Sequence, residues 1–120
     1  MTIFSGVGAS ASVGPTSGGK FYAFNAIAAA PQTVAPANPS RVTITFWNPS
    51  NVTIFIAPLV VISLVGGGQQ ALIPSLAALG GCIPLLSQSW ISITGECQGA
   101  FQALAASGST NALTVVDSNI

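Results

Sequence analysis

Only four residues carry a formal charge in this 120-residue chain: Lys20, Arg41, Glu96 and Asp117, with no histidine. Two carboxylates can hydrolyse a glycosidic bond when folding holds them roughly 5 to 9.5 Å apart. Nothing in the sequence brings Glu96 to Asp117, and the expectation is two solvated surface charges. Without histidine the commonest general base is missing, and so is any Ser-His or Cys-His pairing. Cys82 and Cys97 lie fifteen positions apart, too far for a metal-binding CxxC pair. They form either a disulfide closing that loop or two buried thiols acting as small hydrophobes. Gly66-Gly67-Gly68 lacks the Lys and Ser/Thr of a phosphate loop and reads as a turn. No catalytic residue, metal or cofactor is expected, and the chain does not read as an enzyme. The side chains left to carry function are aromatic. Trp47, Trp90 and Tyr22 are candidate interface anchors, or platforms for a sugar ring.

Charged residues make up 3% of the chain, against about 25% in ordinary globular proteins. Two cationic side chains are too few to neutralise a nucleic-acid backbone, so no nucleic-acid partner is expected. A net charge of zero favours association. Charge depletion also marks the buried centres of protein interfaces. At 50% hydrophobic the chain is too apolar to be disordered throughout. The longest apolar stretch, VTIFIAPLVVISLV from Val52, would reach only about 21 Å as a helix, short of a ~30 Å bilayer core. It contains Pro58 and follows Asn48-Pro49-Ser50-Asn51, a strong turn signal, so no membrane span is expected.

The elements that would position these residues are strands. Residues 1–19 are Gly-, Ser- and Ala-rich and read as an N-terminal arm, flexible or extended, leaving 20–120 as one β-sandwich domain. Lys20–Ala30 is a strand with Tyr22 and Phe24 on one face and Phe21 and Ile27 on the other. PQTVAPANPS is a stiff extended connector. In Arg41–Trp47, Val42, Ile44 and Phe46 alternate with Thr43, Thr45 and Trp47, and Val52–Ala57 alternates likewise. With the four-residue turn between them, these two strands are expected to pair as an antiparallel hairpin. Further strands are read at Leu59–Val65, Ser89–Thr94, Gly99–Ala106 and Ala112–Asp117. Pro74–Leu79 is either a helical turn or a packed loop. About seven short strands point to an all-β antiparallel sandwich or jelly roll.

The stretches RVTITFWNPSNVTIFIAP and SWISITGECQGAFQALAASG resemble small virion proteins of tailed bacteriophages, the short β-sandwich proteins that decorate or cement the capsid lattice. The resemblance covers about residues 40–117. It implies a homodimer or homotrimer made in the host bacterial cytoplasm and docked on the outer capsid surface, with the major capsid protein and its own copies as partners. It carries over no active-site residues. The alternative is a tail, fibre or adhesin module that recognises a glycan or cell-surface receptor through Trp47, Trp90 and Tyr22.

Overall fold

The computed structural model describes residues 2–7, 20–59, 61–63, 69–71, 74–77, 79–95 and 97–119. Among the described residues there are eleven strands and no helix: β1 (Thr2–Val7), β2 (Lys20–Ile27), β3 (Gln32–Ala35), β4 (Arg41–Asn48), β5 (Ile54–Pro58), β6 (Val61–Ser63), β7 (Gln69–Ala71), β8 (Ile83–Leu85), β9 (Ser89–Thr94), β10 (Phe101–Ala105) and β11 (Asn111–Asn119). One antiparallel sheet has five strands in the order β1-β9-β4-β11-β2, and a second has four in the order β3-β10-β5-β8; β6 and β7 form a separate two-stranded ribbon. The fold is all-β and sandwich-like, as the alternation of apolar and polar residues predicts.

The core lies between the two larger sheets. Ile44, Phe46, Ile91, Ile93, Leu113 and Val115 point into it from the five-stranded sheet, and Ile54, Ile56, Phe101, Ala103 and Ala105 from the other. Phe46 and Phe101 meet across the layers with ring centroids 5.4 Å apart and planes tilted by 58°. Such tilted aromatic pairs gain somewhat more than their buried area alone provides.

The expected hairpin between β4 and β5 does not form. β4 pairs with β9 and β11, whereas β5 pairs with β8 and β10, so the Asn-Pro-Ser-Asn stretch is a corner between sheets. The cause is visible at Asn48, which is fully buried. Its Nδ2 donates to the carbonyls of Val52 (2.8 Å), Leu85 (3.0 Å) and Leu86 (3.2 Å), and its Oδ1 accepts from the Ser50 amide (3.0 Å) and hydroxyl (2.6 Å). These bonds satisfy corner and loop carbonyls that would otherwise be buried without partners. The loop before β9 is held to the same corner: Gln88, at φ 59°, donates from its amide to the Asn48 carbonyl and from Nε2 to the Pro49 carbonyl. A left-handed backbone at a residue other than glycine is costly and persists where its surroundings fix it.

Other expectations shift. Part of the proline-rich connector is β3, with proline on either side of it at positions 31 and 36. No helix forms at Pro74–Leu79: Ser75 makes an isolated bridge, residues 76 and 77 turn, and residue 78 is outside the described set. The count of seven strands omitted β1, β3, β7 and β8. Of the arm, Thr2–Val7 is an edge strand of the five-stranded sheet, while residues 8–19 lie outside the described residues, as do the glycines at 66–68 and Glu96. In β2 the register shifts against β11 between the pairs Phe24↔Leu113 and Ile27↔Asn111. Three residues on one strand match two on the other, a bulge that turns Ile27 inward. Ile27 is therefore fully buried, although Phe21, six residues earlier and assigned to the same face by alternation, is 73% exposed.

Candidate functional site

Two of the three aromatic candidates come together and the third does not. Trp47 on β4 is directly opposite Trp90 on β9, both on the face of the five-stranded sheet turned away from the core, and both half-buried. Below them Thr45 and Ser92 share a hydrogen bond of 2.5 Å between their hydroxyls, and Thr43 and Thr94 one of 3.1 Å. Cross-strand pairs of this kind stabilise a sheet. The register carries the row onward to Val116 and Phe21 on one side and Phe4 on the other. Tyr22 points to the opposite face, level with Val115, and packs against the core. A groove lined jointly by Trp47, Trp90 and Tyr22 is therefore not what the fold builds. Tyr22 instead borders a polar cavity of about 250 Å³ with Lys20, Asn38, Asp117 and Asn119.

A second cavity, also about 250 Å³, opens between β1 and β8, on the side where the edges of the two sheets part. Gly6, Ile83, Leu85, Leu86, Trp90 and Ile91 line it, and its walls are mainly apolar. Leu86 is 58% exposed and Phe4, on the adjoining strand, 56%. Trp90 can lie against β1 because residue 6 is glycine: a Cβ there would fall 2.6 to 2.8 Å from the indole. The sequence reading missed this cleft. Trp90 and Ile91 lie on the strand read at Ser89–Thr94, but the other lining residues fall within 1–19 and just before Ser89, where the sequence shows no sustained alternation.

The expectation of solvated surface acids fails for Asp117, which is buried with Arg41. Arg41 Nε and Nη2 donate to the two carboxylate oxygens at 2.9 and 3.0 Å. Its remaining donors go to the carbonyls of Cys97, Gly99 and Pro36 at 2.7, 2.8 and 2.7 Å. All five guanidinium N–H groups are thus used. Asn38 Nδ2 donates to both oxygens of Asp117 at 3.3 Å and to Asn119 Oδ1 at 2.9 Å. Burial on its own would raise the Asp117 carboxyl. Hydrogen bonds from Arg41 and Asn38, with the charges of Arg41 and Lys20, outweigh it and hold the group below the usual carboxylate range. The cluster joins β4 and β11 to the segments that flank β3 and β10, and so ties the two sheets together at one end.

Cys82 and Cys97 are free thiols; Cys97 is buried and Cys82 half-buried. Burial raises both, and for Cys97 nearby Arg41 opposes the rise while Asp117 adds to it. Among the described residues no group of three potential metal ligands occurs, and no helix is long and apolar enough to cross a membrane.

The fold defines a class, the antiparallel β-sandwich domain. No family model matches the sequence, and no curated protein does. Among solved structures, the stem and receptor-binding domain of the spike protein P1 from bacteriophage PM2 is similar, with a TM-score of 0.50 at 12% sequence identity. The match covers 81% of this chain and 32% of that one, so this chain spans about a third of that structure's length. At this identity the likeness is one of fold.

Proposed function

We propose that this chain is a structural protein of a bacteriophage virion, held in the particle by protein–protein contact and without catalytic chemistry of its own. The observation that carries the reading is the withdrawal of charge from the surface. With Arg41 and Asp117 paired inside, Lys20 is the only exposed charge among the described residues. Large apolar side chains stay outside, with Leu86 lining the β1–β8 cleft and Phe4 exposed on β1. A surface depleted of charge and rimmed by apolar groups suits burial against other protein. The finer reading is a capsid decoration or cement protein, a homodimer or homotrimer bound to the major capsid protein on the outside of the head. The fold shared with part of a phage spike supports a virion role in general, and it favours a second reading as a spike-type module that binds a cell-surface receptor.

The test mixes purified chain with intact phage heads and, separately, with host cells. Saturable binding to heads, together with a higher temperature of DNA release, supports the decoration role, and Leu86→Lys should weaken that binding at least tenfold while the protein stays folded. Binding to cells but not to heads would replace it with the receptor-binding role. A monomer that binds neither overturns both.

A further inference from the structure

We infer that β1 is an exchangeable strand, one that a second copy of this chain can donate to the β9 edge in place of the chain's own. β1 pairs with β9 alone, in unbroken register from Thr2↔Thr94 to Val7↔Ser89, along the whole of β9. Of the β1 side chains that are described, Ile3, Phe4 and Ser5 are exposed and none belongs to the core cluster. The strand therefore docks as a peptide would, through backbone hydrogen bonds and one shape-specific contact, Gly6 against the Trp90 indole.

The topology makes exchange reachable. β1 and β2 occupy opposite edges of the five-stranded sheet, and four antiparallel steps leave them running in the same direction. Four inter-strand spacings amount to about 19 Å, and the register places Lys20 level with Ile3, four residues or about 13 Å along the strand from Val7, so the end of β1 and the start of β2 are roughly 23 Å apart. The twelve residues 8–19 between them can span at most about 43 Å. A segment long enough to cross its own sheet is also long enough to reach the edge of an adjacent copy. Residues 1–19 carry no charged side chain, so copies that approach through this segment meet no side-chain repulsion. The pairings are the same within one chain or between two, so effective concentration decides between them. A dilute chain keeps its own strand, and copies crowded in an assembly trade strands. This holds whether or not the chain docks on heads, and it is tested without them.

Phe4 and Ser92 are direct partners, at a spacing a disulfide can close. With Cys82→Ser and Cys97→Ala as background, one chain carries Phe4→Cys and another Ser92→Cys; they are mixed and oxidised. A disulfide-linked heterodimer forms only if β1 of one chain lies on β9 of the other. It should exceed the like-with-like dimers at least about tenfold near 1 mM protein, fall away near 10 μM, and vanish when Gly6→Val is added to the Phe4→Cys chain. A single chain with both substitutions serves as control and should close on itself when dilute. Heterodimer at the like-with-like level at 1 mM, insensitivity to Gly6→Val, or failure of the control to close would each overturn the proposal.

Discussion

Arg41 and Asp117, 76 positions apart in sequence, form a two-pronged ion pair with Nε–Oδ1 and Nη2–Oδ2 distances of 2.9 and 3.0 Å and almost no exposure to solvent. Half of the chain's four charges are thus spent on closing one end of the sandwich. The Arg41 guanidinium also lies 5.9 Å from the centre of the Phe101 ring, so the polar cluster grades directly into the core.

Removing one partner should be costly because it strands the other. Arg41→Met is expected to lower unfolding stability by about 3–5 kcal/mol, as for buried ion pairs in general. The double variant Arg41→Met/Asp117→Leu should recover much of that loss, since it leaves no buried charge. Urea denaturation of the two variants and the parent measures both.

The same pair sets a pH dependence. The carboxyl of Asp117 is lower in the folded chain than in the unfolded one, where it sits near 3.9. Its contribution is therefore present above about pH 4 and is lost as pH falls through the folded value. Stability followed by denaturant midpoint should stay level from pH 7 to about 5 and drop below pH 4. In Asn38→Ala, which lacks both Asn38 bonds to the carboxylate, the folded value lies closer to the unfolded one, so the acid drop should be smaller and should end at higher pH.

The thiols should be unreactive while the chain is folded. Burial raises both, so little thiolate is present at neutral pH. An aromatic disulfide reagent at pH 7 should modify half-buried Cys82 slowly and Cys97 only after unfolding. Rapid labelling of both in native protein would contradict the structure.

The bulge in β2 makes a paired prediction at two positions that alternation assigns to one face. Ile27→Ala should cost about 2–5 kcal/mol as a core truncation. Phe21→Ser, at a 73% exposed site, should change stability by less than about 0.5 kcal/mol. Thermal melts of the two single variants distinguish a bulged strand from a regular one.

Much of the fold can be read locally. The bounds read for Ser89–Thr94 match β9 residue for residue, and alternation picks out the core residues Ile44 and Phe46 of β4 and Ile91 and Ile93 of β9, although Val42, on the same face as Ile44, is only half-buried. Trp47 and Trp90 were legible as residues that share a strand face with small polar side chains, Trp47 with Thr43 and Thr45 and Trp90 with Ser92. That they face each other was not, because the partner of β4 is fixed by pairing across more than forty residues. Tyr22 misled for a related reason: period-2 alternation divides a strand's residues between two faces but does not say which face is buried. β3 and β8 escaped notice because proline punctuates both, and proline in a strand is tolerated chiefly at the edge. Both are edge strands here.

The sequence by itself determined the all-β character, the alternating faces of β4 and β9 and the scarcity of charge, because these follow from the pleat and from composition. Only the tertiary structure decided that β4 and β5 part into different sheets, that Ile27 turns inward, and that Arg41 finds Asp117. Each of these depends on satisfying buried polar groups and filling the core with residues far apart in the chain. Asn48 reaches the carbonyls of Leu85 and Leu86, and Arg41 those of Cys97 and Gly99. No local pattern encodes such a partner, and its energy exists only once the distant segments have met.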